Sequence, residues 1–572
     1  MRAPIRNLLT RPMRLPRLTP YVPEPDDPAI FWFNSERDDI IREVVRRIAE
    51  RYGKDRATLE YTLNDVALNE STRLEKQRDE EARDELGHWR GLLRRIARLS
   101  DDEKRAALRS ITERMARDVA GNFDPRVYKF ATVVAPQILT GVMRPVAIAK
   151  EVATAGFGTR ALDELLTIEG DVELLKRLEK LGTLVYVPTH ASNLDSIALG
   201  YALMRSELAP VVYGAGKNLF TNPIISFFMH NLGAYRVDRR VRAALYKDVL
   251  KTYAGVMVER GYHSLFFPGG TRSRSGMVER HLKLGLAGSA VEAFARNQVF
   301  GIDRPVFFVP TTINYALVME AESLIEDHLK EAGQARYIIE DDEFSRIDRW
   351  VSFFRKLVGT DGACVIRFGR PMDPFGNPID DAGASIAPGG KAVDPSTYVQ
   401  RHGAPSIDPK RDAAYTRELG DTLLGVYRAE TVLMPTQLVA HVLFRRIVRE
   451  TPGVDLFGRL RFRGEIQMTG EELLADLGAT RDRLAELEAR GGVHLSHALR
   501  KRAPGELLER AIAQWDGYHT RTVARWRDAD VVAEDPTLLL YYQNRVIDYA
   551  PAIAGEPDAA AAREIALLGV TG

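Results

Sequence analysis

Cysteine is nearly absent from this chain. Cys364 is the single one in 572 residues, which excludes an intramolecular disulfide framework and any cysteine-rich zinc site. A reducing, cytoplasmic setting is compatible with that scarcity. Long apolar runs are missing as well. Nowhere do about 18 apolar residues follow one another, the length a bilayer-crossing helix needs. The opening MRAPIRNLLTRPMRLPRLTPYVPEPDDP likewise holds no apolar core of signal-peptide length. Nor is there an excess of one charge: 80 Lys+Arg against 79 Asp+Glu leave a net +1. That balance excludes a nucleic-acid binder driven by bulk charge and leaves room for local basic patches. What the chain does have is core-forming material, 45% hydrophobic and 28% charged. At this length it is expected to divide into roughly two to four structural units.

The texture along the chain suggests four zones and a linker. Residues 1–30 form a basic, Pro-rich tail with Arg2, Arg6, Arg11, Arg14 and Arg17 ahead of the first acid, Glu24. It reads either as a loose end or as an electrostatic arm for anionic lipid. Residues 31–180 are expected to be helical, with apolar positions near 3.6 spacing in ERDDIIREVVRRIAERYG and LNESTRLEKQRDEEARDELGHWRGLLRRIARL. Within them Val127–Lys150 is the most membrane-like stretch, interrupted by Lys129, Pro136, Gln137 and Arg144. An interfacial amphipathic segment and a buried helical hairpin are both open there.

Residues 181–375 carry short β-branched and aromatic runs: Thr183–Pro188, Pro210–Tyr213, Ser264–Pro268, Pro305–Pro310 and Cys364–Phe368. Helical patterns such as Arg242–Arg260 and Leu284–Arg296 lie between them. The alternation predicts an α/β unit, a mainly parallel sheet with flanking helices. Residues 376–410, rich in Gly, Pro, Ser and Asp, read as a loop or linker, and 411–572 return to helical patterns.

Chemistry-bearing residues gather where the apolar runs end. His190-Ala-Ser-Asn-Leu-Asp195 follows the first run. On one continuous helix the two would stand about 140° apart. A strand–turn–helix path instead lets Ser192 or Asn193 cap a helix from about Leu194 to Arg205, with Asp195 folding back to the imidazole. A carboxylate holding one ring nitrogen as N–H leaves the other free to take a proton. Such a pair also occurs by chance.

Phe266-Phe-Pro-Gly-Gly-Thr-Arg-Ser-Arg-Ser-Gly276 places two glycines beside Arg272 and Arg274, suited to an anion; an ordinary basic loop has the same composition. It lacks the Gly-Lys-Ser/Thr ending of a nucleotide-binding loop, which excludes the usual NTPase reading. Gly214-Ala-Gly-Lys-Asn-Leu-Phe220 and Asn231-Leu-Gly-Ala-Tyr-Arg-Val-Asp-Arg-Arg240 add Lys217, Arg236, Arg239 and Arg240. They are either an anion-attracting cluster or a solvated surface. Val309-Pro-Thr-Thr-Ile-Asn-Tyr315 is a fourth strand end.

Taken in this order, the four blocks resemble the glycerolipid acyltransferase superfamily, most of all its glycerol-3-phosphate branch. His190 and Asp195 match its His-x4-Asp block, and Gly214–Leu219 with Gly233–Arg239 match the second, laying the substrate-binding arginine on Arg239. Gly270, Arg272 and Ser273 match the third; Pro310 is the matched proline of the fourth, which runs on through Ala316-Leu-Val-Met-Glu320. The likeness covers roughly residues 180–375, with a further stretch at Glu430–His441. One position departs: the third block usually carries Glu where this chain has Gly269, which leaves the acceptor open.

The resemblance implies direct acyl transfer from acyl-CoA or acyl-carrier protein to a hydroxyl of glycerol 3-phosphate, without metal or bound cofactor. His190 would act as base and Asp195 would orient it. Backbone N–H groups near Gly269–Thr271 would meet the oxyanion, and Arg239, Arg272 and Arg274 would hold the phosphate. Lys217, Gly270, Thr271, Ser273 and Pro310 complete the expected binding set. A covalent acyl-Cys364 is not expected from a residue inside a strand. Phospholipid synthesis on the cytoplasmic face of a membrane, as a peripheral protein, is the implied setting. The alternatives are lysophosphatidate, dihydroxyacetone phosphate or another alcohol as acceptor, or a catalytically silent membrane-binding scaffold.

Overall fold

In the computed structural model of the chain, residues 21–77, 80–132, 166–217, 223–332, 363–516 and 518–554 are described. Most of the basic tail, residues 133–150 of the membrane-like stretch, and Asn218 and Leu219 of the second block lie outside them. No helix among the described residues is long and apolar enough to cross a membrane.

A seven-stranded sheet occupies the middle of the chain: β1 (Leu166–Glu169), β2 (Thr183–Pro188), β3 (Val212–Gly216), β4 (Ala234–Val237), β5 (Ser264–Leu265), β6 (Val306–Tyr315) and β7 (Cys364–Phe368). Their order is β1-β7-β6-β2-β5-β3-β4. From β6 to β4 all neighbours are parallel; β7 runs antiparallel to β6 and pairs in parallel with β1. Helices Asp195–Arg205, Ala244–Glu259 and Gly285–Val299 fill the crossovers, which makes this the expected mainly parallel α/β unit.

β2 is buried along its whole length. Leu184 and Tyr186 enter one apolar cluster with Leu178 and Leu199, while Val185 and Val187 enter another with Val291 and Leu423. Successive strand residues face opposite ways, so a strand covered on both sides must be apolar throughout. Each such buried Val or Leu contributes roughly 1.5–3 kcal/mol.

β2 and β7 form with the expected bounds. Pro210–Tyr213 moves on to Val212–Gly216, and Ser264–Pro268 shrinks to Ser264–Leu265 as the chain approaches Pro268, which has no N–H for a ladder. β1 and β4 carry no expectation from the sequence, because four residues offer too few alternations to stand out.

Helices Phe33–Tyr52, Arg56–Leu74, Glu80–Arg95 and Asp101–Val119 precede the sheet. Their apolar residues, among them Val44, Leu63 and Trp89, share a cluster with Val249 and Tyr253 of helix Ala244–Glu259 and with Tyr235 of β4. Ser100 and Glu103 close a reciprocal capping box at the start of the fourth helix.

Helices also dominate after the sheet, and a three-stranded antiparallel sheet that the helical patterns of 411–572 do not announce stands among them. Asp530–Ala533 lies there between Gln467–Thr469 and Ala524–Arg527. Strands of three or four residues again leave little periodic signal. The Gly- and Pro-rich 376–410 stretch runs as turns with two short antiparallel pairings, Ser385–Ile386 with Ala392–Val393 and Gln400–Arg401 with Ala404–Pro405. It folds onto the core, where Tyr398 stacks on Phe375 with ring centroids 4.6 Å apart.

Candidate active site

The parallel strands deliver their carboxyl ends to one edge of the sheet, the edge where α/β folds place ligands. A cleft of about 1110 Å³ opens there, and His190, Arg239, Gly270, Thr271, Arg272 and Arg274 all line it. Its walls also include Val241, Leu250, Leu286 and Leu324, so charged and apolar surfaces share one space.

Just past β2, Thr189 donates its N–H to the Thr311 carbonyl (2.9 Å), and its hydroxyl accepts from Ile313 N–H (3.0 Å). The strand end is thereby fixed to β6 immediately before His190. The following helix starts at Asp195; Leu194 is its N-cap and supplies no side-chain cap. Ser192 serves the turn instead, its hydroxyl accepting Leu194 N–H at 3.2 Å.

Asp195 folds back as the spacing predicts. Its Oδ2 lies 2.7 Å from His190 Nδ1 and accepts from the N–H groups of Ala191 (2.7 Å) and Ser192 (3.0 Å). Asp195 is fully buried. With Nδ1–H directed at this acceptor, the lone pair falls on Nε2. The imidazole stacks on Phe267 with ring centroids 4.2 Å apart and planes 24° apart, which fixes its plane.

The cationic side of the cleft comes from the ends of β4 and β5. Arg239 stands in the open part and, among the described residues, makes no ion pair. Desolvation by the cleft walls and the facing charge of Arg272 push its guanidinium below its ordinary value. Arg274 pairs with Glu331 at 2.8 Å. Lys283, which the motifs do not single out, also lines the cleft. Its side chain lies across Gly270, within 2.5 Å of where a Cβ would stand, and the φ of +72° there favours glycine.

Three expected binding residues stand away from the cleft. Lys217 is held 3.1 Å from Asp118, at the end of the fourth helix, and 3.8 Å from Asp238. Pro310 is buried within β6, paired with Val187 and accepting Gly369 N–H at 2.8 Å. Ser273 braces the turn: its N–H donates to the His190 carbonyl at 2.7 Å and its hydroxyl to the Met277 carbonyl at 2.8 Å. Gly270 N–H is taken by the Phe267 carbonyl at 3.0 Å.

Two carboxyls join these parts, and neither is among the residues chosen from the motifs. Glu320, fully buried after β6, accepts the Ser192 hydroxyl (2.8 Å) and Asn193 N–H (3.1 Å) and lies 3.4 Å from Arg272. Glu279 accepts His190 N–H at 2.6 Å. Burial pushes the Glu279 carboxyl up from its usual range, against the opposing pull of Arg545 and of His190 N–H.

The post-sheet region reaches the arginine loop from behind. Asn544 donates to the Ser275 carbonyl at 2.8 Å, Arg545 to that of Met277 at 3.3 Å, and Arg280 pairs with Asp548 at 2.7 Å. Gly276 has φ +83°, and a Cβ there would collide with the Tyr541 carbonyl. Among the described residues, no group of three His, Cys, Asp or Glu side chains is arranged to hold a metal ion.

A mainly parallel sheet thus joins, at its carboxyl edge, a His–Asp pair to a cationic cleft. Residues 170–314 match the family model described as Acyltransferase. This core is similar to an acyltransferase domain, and the curated relatives it aligns with are glycerol-3-phosphate acyltransferases. The chain is 29% identical over 208 residues to a glycerol-3-phosphate acyltransferase of Aeromonas hydrophila, covering 36% of this chain and 24% of that protein. It is 32% identical over 162 residues to one of Histophilus somni (27% and 19%). It is 31% identical over 155 residues to one of Pseudomonas aeruginosa (27% and 18%). The aligned part thus spans at most about a quarter of these curated relatives, 24% in the longest case.

Proposed function

We infer that the chain transfers a fatty acyl group from a thioester, acyl-CoA or acyl-carrier protein, to a hydroxyl of glycerol 3-phosphate. One observation carries the reading: His190, backed by Asp195, lines the same cleft as Arg239 and Arg272. The relatives' names support glycerol 3-phosphate as the acceptor.

His190 Nε2 takes the proton of the acceptor hydroxyl as its oxygen bonds to the thioester carbonyl carbon, and Asp195 offsets the imidazolium charge. The carbonyl oxygen becomes an oxyanion. Gly270 N–H is already engaged by the Phe267 carbonyl, and a neighbouring backbone N–H of the same turn, that of Thr271 lining the cleft, is the donor assigned to meet it. Collapse re-forms the carbonyl, breaks the C–S bond, and returns the proton from His190 to the departing thiolate. Arg239 and Arg272 hold the acceptor phosphate, and the apolar wall takes the start of the acyl chain. The product is amphipathic, which supports a peripheral position on a membrane; the cytoplasmic face is part of the same proposal.

The test incubates purified full-length protein with palmitoyl-CoA or palmitoyl-acyl-carrier protein and, in turn, glycerol 3-phosphate, lysophosphatidate, dihydroxyacetone phosphate and a long-chain alcohol. Acylation of glycerol 3-phosphate is expected to be fastest, and His190→Ala to lower it by about 10²-fold or more. Preference for the acceptor without phosphate overturns the arginine roles. A well-folded His190→Ala protein with full turnover overturns the base.

A further inference from the structure

The main chain of His190 is gripped at both of its polar atoms. Its carbonyl accepts Ser273 N–H at 2.7 Å, and its N–H donates to Glu279 Oε1 at 2.6 Å. Glu279 itself is only 9% exposed, and its second oxygen, Oε2, is buried and has no hydrogen-bond partner among the described residues. A buried carboxyl with an idle oxygen is costly to keep for packing alone.

Its location is equally specific. An added Cβ on Gly269 would sit 3.3 Å from Glu279 Cγ and 3.7 Å from Oε1, so the carboxyl fills the space into which a side chain at 269 would grow. Gly269 has no positive φ, so the backbone there would accept another residue. A second tether, Lys283 N–H to the Pro268 carbonyl at 2.6 Å, holds the Glu279 segment against the same turn.

We propose that Glu279 is a positioning residue for acyl transfer: lodged in the room left by Gly269, its carboxyl fixes the main chain at His190 and so the aim of the imidazole. The proposal rests on the acyl-transfer reading above. Asp195 and Phe267 set the rotation of the ring, whereas Glu279 sets where the ring is mounted. What the role needs is an acceptor oxygen at this spot. Glutamine supplies one, and a glutamate grown from position 269 would bring its carboxyl to the same place.

Steady-state acyl transfer is compared for wild type, Glu279→Gln, Glu279→Ala, Glu279→Met, the double variant Glu279→Ala/Gly269→Glu, and His190→Ala. Circular dichroism checks that each is folded. Glu279→Ala and the volume-preserving Glu279→Met are expected to lose about tenfold or more in kcat, with KM for donor and acceptor within about twofold. Glu279→Gln should stay within about threefold of wild type, and the double variant should recover most of the loss. Independently of turnover, carbethoxylation of His190 by diethylpyrocarbonate, followed by peptide mass, should change rate in Glu279→Ala and Glu279→Met but not in Glu279→Gln.

Loss in the glutamine variant equal to that in alanine overturns the proposal, as does an unchanged carbethoxylation rate in both Glu279→Ala and Glu279→Met. Full kcat in Glu279→Ala beside an inactive His190→Ala overturns the proposal alone. Full turnover in His190→Ala overturns the acyl-transfer reading on which it rests.

Discussion

Glu320 ties Arg272 to the turn that carries His190. One carboxyl oxygen lies 3.4 Å from the guanidinium, while the other accepts the Ser192 hydroxyl at 2.8 Å. The anion-facing arginine and the base are therefore mounted on one buried group from a third strand end.

Removing that group should be felt in both stability and turnover. Glu320→Ala removes the carboxylate beside Arg272 and the acceptor of the Ser192 hydroxyl and Asn193 N–H, and breaking such a buried pair costs about 3 kcal/mol. Urea denaturation is expected to show a loss of that order, with a raised KM for the acceptor. A midpoint equal to wild type would mean that Arg272 is held by other contacts.

Asp195→Asn keeps the size of the side chain and changes its chemistry. One oxygen now receives His190 Nδ1–H and two backbone N–H groups; the amide keeps an oxygen that can accept them and loses the negative charge that faces the imidazole. We expect a folded protein whose kcat falls by about 10²-fold or more through loss of the charge that offsets the imidazolium. Turnover near wild type would remove Asp195 from the chemistry.

Arg239 should matter to binding rather than to the chemical step. Arg239→Gln is expected to raise KM for glycerol 3-phosphate by about tenfold or more, with kcat changed far less. Inorganic phosphate in excess of its dissociation constant should raise the melting temperature of wild type through preferential binding to the folded state, and do so less in the variant. Equal phosphate shifts in the two proteins would place the phosphate elsewhere.

His263 gives the fold an acid-side weakness. Its Nδ1 accepts Leu184 N–H at 3.0 Å, at the start of β2, and burial pushes it down to about 4. Between its ordinary value and about 4 the unfolded chain binds a proton that the folded chain does not, so this contribution to stability is lost as pH falls. The slope from this one group is at most about 1.4 kcal/mol per pH unit. Denaturation between neutral pH and pH of about 4 should show a flatter dependence in His263→Gln than in wild type.

Much of this site was legible in the chain, and the reason is local. His190 and Asp195 are five apart, and Arg239 and Arg272 each follow a strand at the same edge, so motif order and strand–helix alternation bring them together. Glu279 and Glu320 were not singled out because their partners are remote, 89 residues from His190 and 128 from Ser192. Lys217 shows the reverse failure. Its charge is visible in the motif, but the Asp118 that occupies it arrives from 99 residues earlier. Lys283 was missed because nothing local tells that it crosses Gly270.

The contact between Gly276 and Tyr541, joined by Asn544 and Arg545, has a consequence for dissection of the molecule. The loop bearing Arg272 is roofed by chain from the far side of the 376–410 stretch, so a fragment stopping there would keep all four blocks and lose the mould around them. A cleaved protein whose two pieces stay associated should keep working, and separately expressed pieces should regain function when mixed.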